Sequence, residues 1–162
     1  MIRSIIIIGF LLLPALTFGQ SRTTQKFHEE HEDAQVLFFY KSTLKMLYEV
    51  VEIEETAELK DLLKDIETMK FVRVDKNKTE IDKSYFKELV DEYHDDDFED
   101  LMTMRQEGMN INVYIKESGG ETKGLVLLMD DDQNLAVLDI KGFVPLNKLA
   151  KLASTVRDVD AF

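Results

Sequence analysis

Hydrophobic positions in the first half of the chain change between strand-like and helix-like spacing. A run of β-branched and aromatic residues predicts a buried strand, and apolar residues three and four positions apart predict the helices that follow it. Ser42 is the expected N-cap of the first of these helices, and the motif at 79–82 is typical of a capping box. The predicted elements are a strand at 35–40, a helix from Ser42, a helix at 56–66, a strand at 69–74 and a helix from Thr79 to Tyr93.

In the second half, short turns rich in Gly, Asp and Asn separate alternating apolar segments, which predicts antiparallel hairpins. Around Val113 the alternation puts Tyr114 on the polar side, so one buried face and one solvent-facing face are expected. Pro145 is suited to the first turn of a final helix that runs to Val156. The strands are predicted at 99–105, 111–117, 123–129 and 135–141.

These elements predict an α+β fold, a two-layer sandwich with a mostly antiparallel sheet and helices packed on one face. A single domain is expected over residues 34–157. Residues 20–33 are mostly polar and predict either a flexible lead or a short helix, and residues 158–162 form a tail.

The first nineteen residues are typical of a secretory signal peptide. Arg3 precedes an apolar run, and small residues near Gly19 suit a peptidase that cuts between Gly19 and Gln20. The run is shorter than the roughly 20 apolar residues that span a bilayer, so cleavage and not anchoring is expected. A lipoprotein would need a cysteine after the cut, and the chain has none. We therefore expect an exported, soluble periplasmic or secreted protein without a stable membrane anchor.

Composition excludes several classes of function. The precursor carries a net charge of −12, and loss of Arg3 makes it −13, which disfavours nucleic acid and anionic lipid as partners. The absence of cysteine excludes disulfides, thiolate zinc sites and cysteine nucleophiles. The phosphate-binding loop and Gly-x-Ser-x-Gly are also absent, and Ser-x-x-Lys at 42–45 lacks its partner motifs. No catalytic residue and no cofactor are predicted.

Two weak metal-site candidates remain. His28 and His31 stand three residues apart, but the metalloprotease motif requires a spacing of four, so a solvated polar face is favoured. Asp130, Asp132 and Asn134 match the first ligand positions of a calcium loop, although the later Gly and carboxylate positions hold other residues. A hairpin turn is the favoured interpretation of this second motif.

Residues 91–100 contain seven carboxylates, a density that could collect cations or a basic partner. Because closely spaced like charges also keep a segment hydrated, a solvated loop is the favoured interpretation.

The C-terminal half resembles a known family. The segment from Gly124 to Gly142, a strand, an acidic turn and an Ala-Val-Leu-x-Ile-x-Gly strand, and the leucine-rich segment after Pro145 are similar to the DUF4252 family of exported Bacteroidota proteins. The passage from Val36 to Leu47 resembles the start of that family, so the resemblance covers about 23–156. It implies a periplasmic or envelope location and no established activity.

Two functions remain open at this point. A well-patterned core without convergent catalytic residues favours a non-enzymatic module that binds an envelope protein or a small ligand through its sheet or its acidic surface. The alternative is a hydrolase or metal-dependent enzyme whose carboxylates converge only in three dimensions. Oligomeric state is not set by the sequence.

Overall fold

The computed structural model describes residues 21–50, 64–82, 84–106 and 108–144. The predicted signal peptide with its cut after Gly19, most of the helix predicted at 56–66 and the helix predicted from Pro145 lie outside these residues. The helices are α1 (Arg22–Glu30), α2 (Lys41–Val50) and α3 (Tyr85–Asp95). The strands are β1 (Gln35–Tyr40), β2 (Ile66–Asp75), β3 (Glu99–Gln106), β4 (Met109–Ser118), β5 (Glu121–Asp130) and β6 (Asn134–Gly142).

All strand pairs in the sheet are antiparallel. The order is β1-β2-β6-β5-β4-β3, so β3 to β6 form a meander and β6 returns to lie beside β2. This confirms the predicted α+β class with an antiparallel sheet. Strands β1 and β3 are the two edges of the sheet.

The hairpin turns explain why the meander strands lie close to their predicted positions. Gly119 and Gly120 have φ of 66° and 78°, the two positive values that a tight hairpin turn requires. Between β5 and β6, Asp131 Oδ1 accepts the backbone N–H groups of Gln133 and Asn134 at 2.7 and 2.6 Å. These local interactions fix where each strand stops.

Each sheet face carries its own hydrophobic cluster. The α1 face holds Val72, Leu128 and Val137, on which Phe27 of α1 and Tyr93 of α3 pack. On the α2 face, Leu44 of α2 packs with strand residues that include Leu125, Leu127 and Ile140. The helices were predicted to pack on one face of the sheet. This holds for α1 and α3, whereas α2 packs on the opposite face.

The prediction that one face of β4 meets solvent is wrong at the centre of the strand. Tyr114 is fully buried, stacks on Tyr93 with ring centroids 5.6 Å apart, and its hydroxyl accepts the Asn112 side-chain amide at 2.8 Å. Both faces of the strand are therefore covered there, because α3 lies over the side that reads as polar in the sequence.

Three helix predictions also need correction. Ser42 lies inside α2, which begins at Lys41, and Ile66 begins β2 instead of ending a helix. The capping box at 79–82 does not open a helix, since α3 begins at Tyr85. Asp82 instead accepts the Ser84 N–H at 2.7 Å in a local turn that precedes the helix.

Among the described residues, no helix combines the length and the apolar character needed to cross a membrane.

Candidate functional site

The most unusual chemistry lies beneath α1. Lys70 of β2 and Asp139 of β6 stand directly opposite each other in the strand register and point to the α1 face, with only 8% and 2% of their surfaces exposed. We call these two residues, with Ser21, Thr24, His28 and Tyr93, the interior polar cluster. Buried charges of this kind require partners, and α1 supplies them.

The N-terminal turn of α1 is bonded to Asp139. Ser21 donates to Asp139 Oδ2 from both its backbone N–H and its hydroxyl, each at 2.9 Å. The Ser21 hydroxyl also accepts the Thr24 N–H at 3.0 Å, so the N-cap of α1 is tied to the sheet. Thr24 Oγ1 continues the network to the Tyr93 hydroxyl at 2.9 Å. One residue, Ser21, therefore caps the helix and docks it.

Burial sets the ionisation of the central pair. It raises the pKa of the Asp139 carboxyl, against hydrogen bonds from Thr24 and Ser21 that lower it. Burial likewise lowers the pKa of the Lys70 ammonium, against the attraction of Asp139 and Glu29. The Lys70 Nζ lies 3.1 Å from His28 Nδ1, within hydrogen-bond distance. A buried acid and base face each other here, and α1 covers them.

A cleft of about 470 Å³ runs outside this cluster, between α1 and α3. Two of its three carboxylates, Glu92 and Asp96, pair with basic side chains of α1. Arg22 Nε is 2.9 Å from Asp96 Oδ1, and Lys26 forms a salt bridge with Glu92. Asp96 also accepts the Arg22 N–H at 2.8 Å, near the start of α1, where a carboxylate complements the helix dipole. This arrangement fastens the two helices together.

The two candidate histidines have separate partners. His28 faces Lys70, whereas His31 Nδ1 lies 2.8 Å from the carbonyl oxygen of Phe27, and its ring packs edge-on against Tyr85. Both side chains are half-buried in the packing of α1, and the solvated face favoured from the sequence is not what the structure has.

The candidate calcium ligands also separate. Asp130 pairs with Lys76, Asp132 is exposed, and Asn134 bonds to Asp131 in the β5–β6 turn. Lys76 also donates to the Asp131 carbonyl at 2.6 Å, so it joins this turn to the one after β2. Among the described residues, no group of three or more His, Asp or Glu side chains is placed to hold a metal ion.

The acidic run at 91–100 spans the end of α3 and the start of β3 and is not a free loop. Five of its seven carboxylates lie within 4 Å of a basic side chain: Asp91 with Lys87, Glu92 with Lys26, Asp96 with Arg22, Asp97 with Lys116 and Asp100 with His94. Most of these carboxylates therefore have a basic partner within the domain.

The two sheet edges differ in how they meet solvent. Edge strand β3 carries Glu99, Asp100 and Arg105, and its register with β4 is interrupted between Asp100 and Met102. Charges and bulges of this kind discourage further strand pairing. Edge strand β1 has no charged residue and pairs in continuous register with β2.

Apolar side chains are exposed along β1. Leu37, Phe38 and Tyr40 are 42, 38 and 63% exposed, and the rings of Phe38 and Tyr40 meet edge to face at 4.5 Å. Within the described part of the chain, the outer side of β1 has no strand beside it. This edge has the features of a surface that accepts another strand.

One protein-family model matches most of the chain, including all six strands of the sheet. The model of DUF4252, a domain of unknown function, matches residues 27–152. The chain belongs to the DUF4252 family. The match includes β1 and the sheet half of the interior polar cluster, while Ser21 and Thr24 precede it. No curated protein and no solved structure matches this DUF4252 chain.

The interior polar cluster of this DUF4252 chain was not among the sites predicted from its sequence. A signal for it was present, because Lys70 shares strand parity with buried Val72, and Asp139 shares it with buried Val137. A charged residue at a buried strand position requires a partner, and the strand order supplies the identity of that partner.

Proposed function

We propose that this DUF4252 chain is an exported, non-enzymatic interaction module that binds a protein partner along β1. The observation that carries the proposal is the edge itself: a charge-free strand with exposed Leu37, Phe38 and Tyr40 and, among the described residues, no strand on its outer side. An extended segment that pairs with such an edge gains backbone hydrogen bonds, while alternate side chains give specificity.

The arrangement of the polar groups favours binding over catalysis. The interior polar cluster is covered by α1, and the cleft carboxylates Glu92 and Asp96 are paired with Lys26 and Arg22. A general acid or base needs access to substrate. In the described residues these groups instead hold α1 against α3 and the sheet.

The export part of the proposal rests on the N-terminal pattern of a charged start, a short apolar run and small residues before Gly19. It places the partner among proteins outside the cytoplasm, in the periplasm or the medium. Ser21, the second residue after the predicted cut, is bonded to Asp139.

The test is site-specific photo-crosslinking of the full chain in cells that export it. A benzophenone amino acid at Leu37 is expected to give protein adducts, whereas the same group at Met102 on β3 is the matched control, since the two sites are 42 and 37% exposed. The intact mass of the exported protein should equal that of a chain whose first residue is Gln20. Equal adducts at both sites, or none at Leu37, would count against the proposed surface, and an uncleaved chain would count against export.

A further inference from the structure

We infer that the strand that pairs with β1 is β1 of a second copy of this chain, arranged antiparallel about a two-fold axis. This inference rests on the proposed function, because it names the occupant of the same edge. Strand β1 is self-complementary in a simple sense: it is uncharged from Gln35 to Tyr40, so two copies meet without like-charge repulsion along the strand.

The flanks of β1 carry opposite charges. Glu32 and Asp33 precede the strand, while Lys41 and Lys45 follow it, one helical turn apart on α2. All four side chains are exposed, and none of them forms a salt bridge within the described residues. Such a strand has an acidic end and a basic end, and within the described residues these charges form no salt bridge that would compete with a partner.

An antiparallel two-fold pair brings the acidic end of each copy beside the basic end of the other. In an antiparallel pair, the side chains of directly opposite residues lie on the same face of the sheet. At the two-fold axis a residue must therefore pair with its own copy and not with its sequence neighbour. With Leu37 on the axis, Gln35 of one copy lies opposite Phe39 of the other, and this register brings Asp33, in the turn before β1, toward Lys41 at the start of α2 of the other copy. Two such contacts form, one at each end.

The rest of the molecule limits where two copies can meet. With a net charge of −12 on the full chain, most pairs of surfaces repel one another. Along β3 the register interruption between Asp100 and Met102 disturbs the edge. Strand β1 combines regular pairing geometry, exposed apolar side chains and complementary flanks.

The experiment measures the mass of the purified exported chain by light scattering and sedimentation over a dilution series. The wild type is expected to show two copies that dissociate on dilution. Lys41→Glu brings an acidic group toward Asp33 of the other copy and should raise the dissociation constant about ten-fold, because two exposed ion pairs become repulsions. The charge swap Asp33→Lys with Lys41→Glu should restore the wild-type constant.

Two further variants define the edge. Leu37→Lys sets two cations face to face on the axis and should give a single copy, whereas Met102→Lys on β3, at matched exposure, should leave the mass unchanged. Thermal melts by circular dichroism check that each variant is folded; all the substituted side chains are exposed.

Each contrary result has a distinct meaning. A single copy at every concentration overturns the second-copy inference, and adducts from Leu37 to a different protein would then leave the interaction module standing. A dimer that Leu37→Lys does not weaken places the interface elsewhere. A charge swap that associates as weakly as Lys41→Glu overturns the antiparallel register.

Discussion

At the scale of single residues, Lys70 and Asp139 show how a charged pair is tolerated inside a sheet. Each loses most of its hydration, and each regains interactions from the opposite strand and from α1. Removing one partner of a buried ion pair lowers the stability of the fold, because the remaining charge has no water to solvate it.

Lys70→Met tests this balance. The variant leaves the Asp139 carboxyl without its cation, so the free energy of unfolding in urea should fall by about 3 kcal/mol. Adding Asp139→Asn removes the second charge but keeps an oxygen acceptor for Ser21, and at least half of the loss should return. If Lys70→Met alone unfolds at the wild-type urea concentration, the two groups are not coupled.

Gly142 is a second residue whose identity is fixed by its surroundings. Its φ is +126°, and a Cβ there would lie 2.5 Å from the Asp65 carbonyl oxygen and 2.8 Å from the Glu67 nitrogen. The register of β2 with β6 shifts at this point, where Ile66 lies opposite Gly142. The space that a side chain would need is filled by backbone atoms of β2 and the residue before it. These atoms cannot shift without disturbing the strand pairing.

Gly142→Ala should therefore lower the free energy of unfolding by about 2–3 kcal/mol, through both the clash and the strained backbone. Gly124→Ala is the control, because its Cβ would meet only ordinary contacts at 3.6 Å with Ile140 and Phe98. Equal losses for the two variants in urea denaturation would show that strand glycine in general, and not the close approach at Gly142, determines the effect.

At the scale of elements, α1 is the helix that closes the interior. Phe27 is fully buried between the sheet and α3 and packs near His31 and Tyr85, with ring centroids 4.8 and 6.3 Å away. Its polar contacts through Ser21 and Arg22 fix the same helix to β6 and to the end of α3. Short as it is, α1 joins parts of the chain that are distant in sequence.

Phe27→Ala should remove most of this docking and lower the free energy of unfolding by about 3–4 kcal/mol. Gln25→Ala, on the exposed side of the same helix, keeps the helix propensity comparable and should change stability by less than about 0.5 kcal/mol. Urea denaturation compares the two. Similar small effects would mean that α1 adds little to the stability of the domain.

The elements also show what the sequence could predict. The meander strands were located within a few residues because alternating side chains and turn residues are local features. Helix starts were less accurate, since Ser42 and Thr79 resemble caps whereas Asp82 takes the Ser84 N–H before α3. The partnership of Lys70 with Asp139 was out of reach, because it depends on β6 returning to β2.

At the scale of the whole molecule, the acidic composition has two different consequences. Much of the charge at 91–100 is neutralised internally by basic residues from α1, α3 and β4. The remaining excess makes most of the surface repel a second copy, which confines self-association to places where charge is absent or complementary. Strand β1 with its flanks is such a place.

The hydrogen bonds of Ser21 also set an order of events during folding. Ser21 leaves the ribosome early, yet its carboxylate partner Asp139 follows 118 residues later, and Asp96, which binds Arg22, follows 74 residues after Arg22. The β3 to β6 hairpins close over short loops, whereas α1 must wait for β6. Helix α1 is thus expected to dock late in folding, once β6 is in the sheet and Asp139 is available to Ser21.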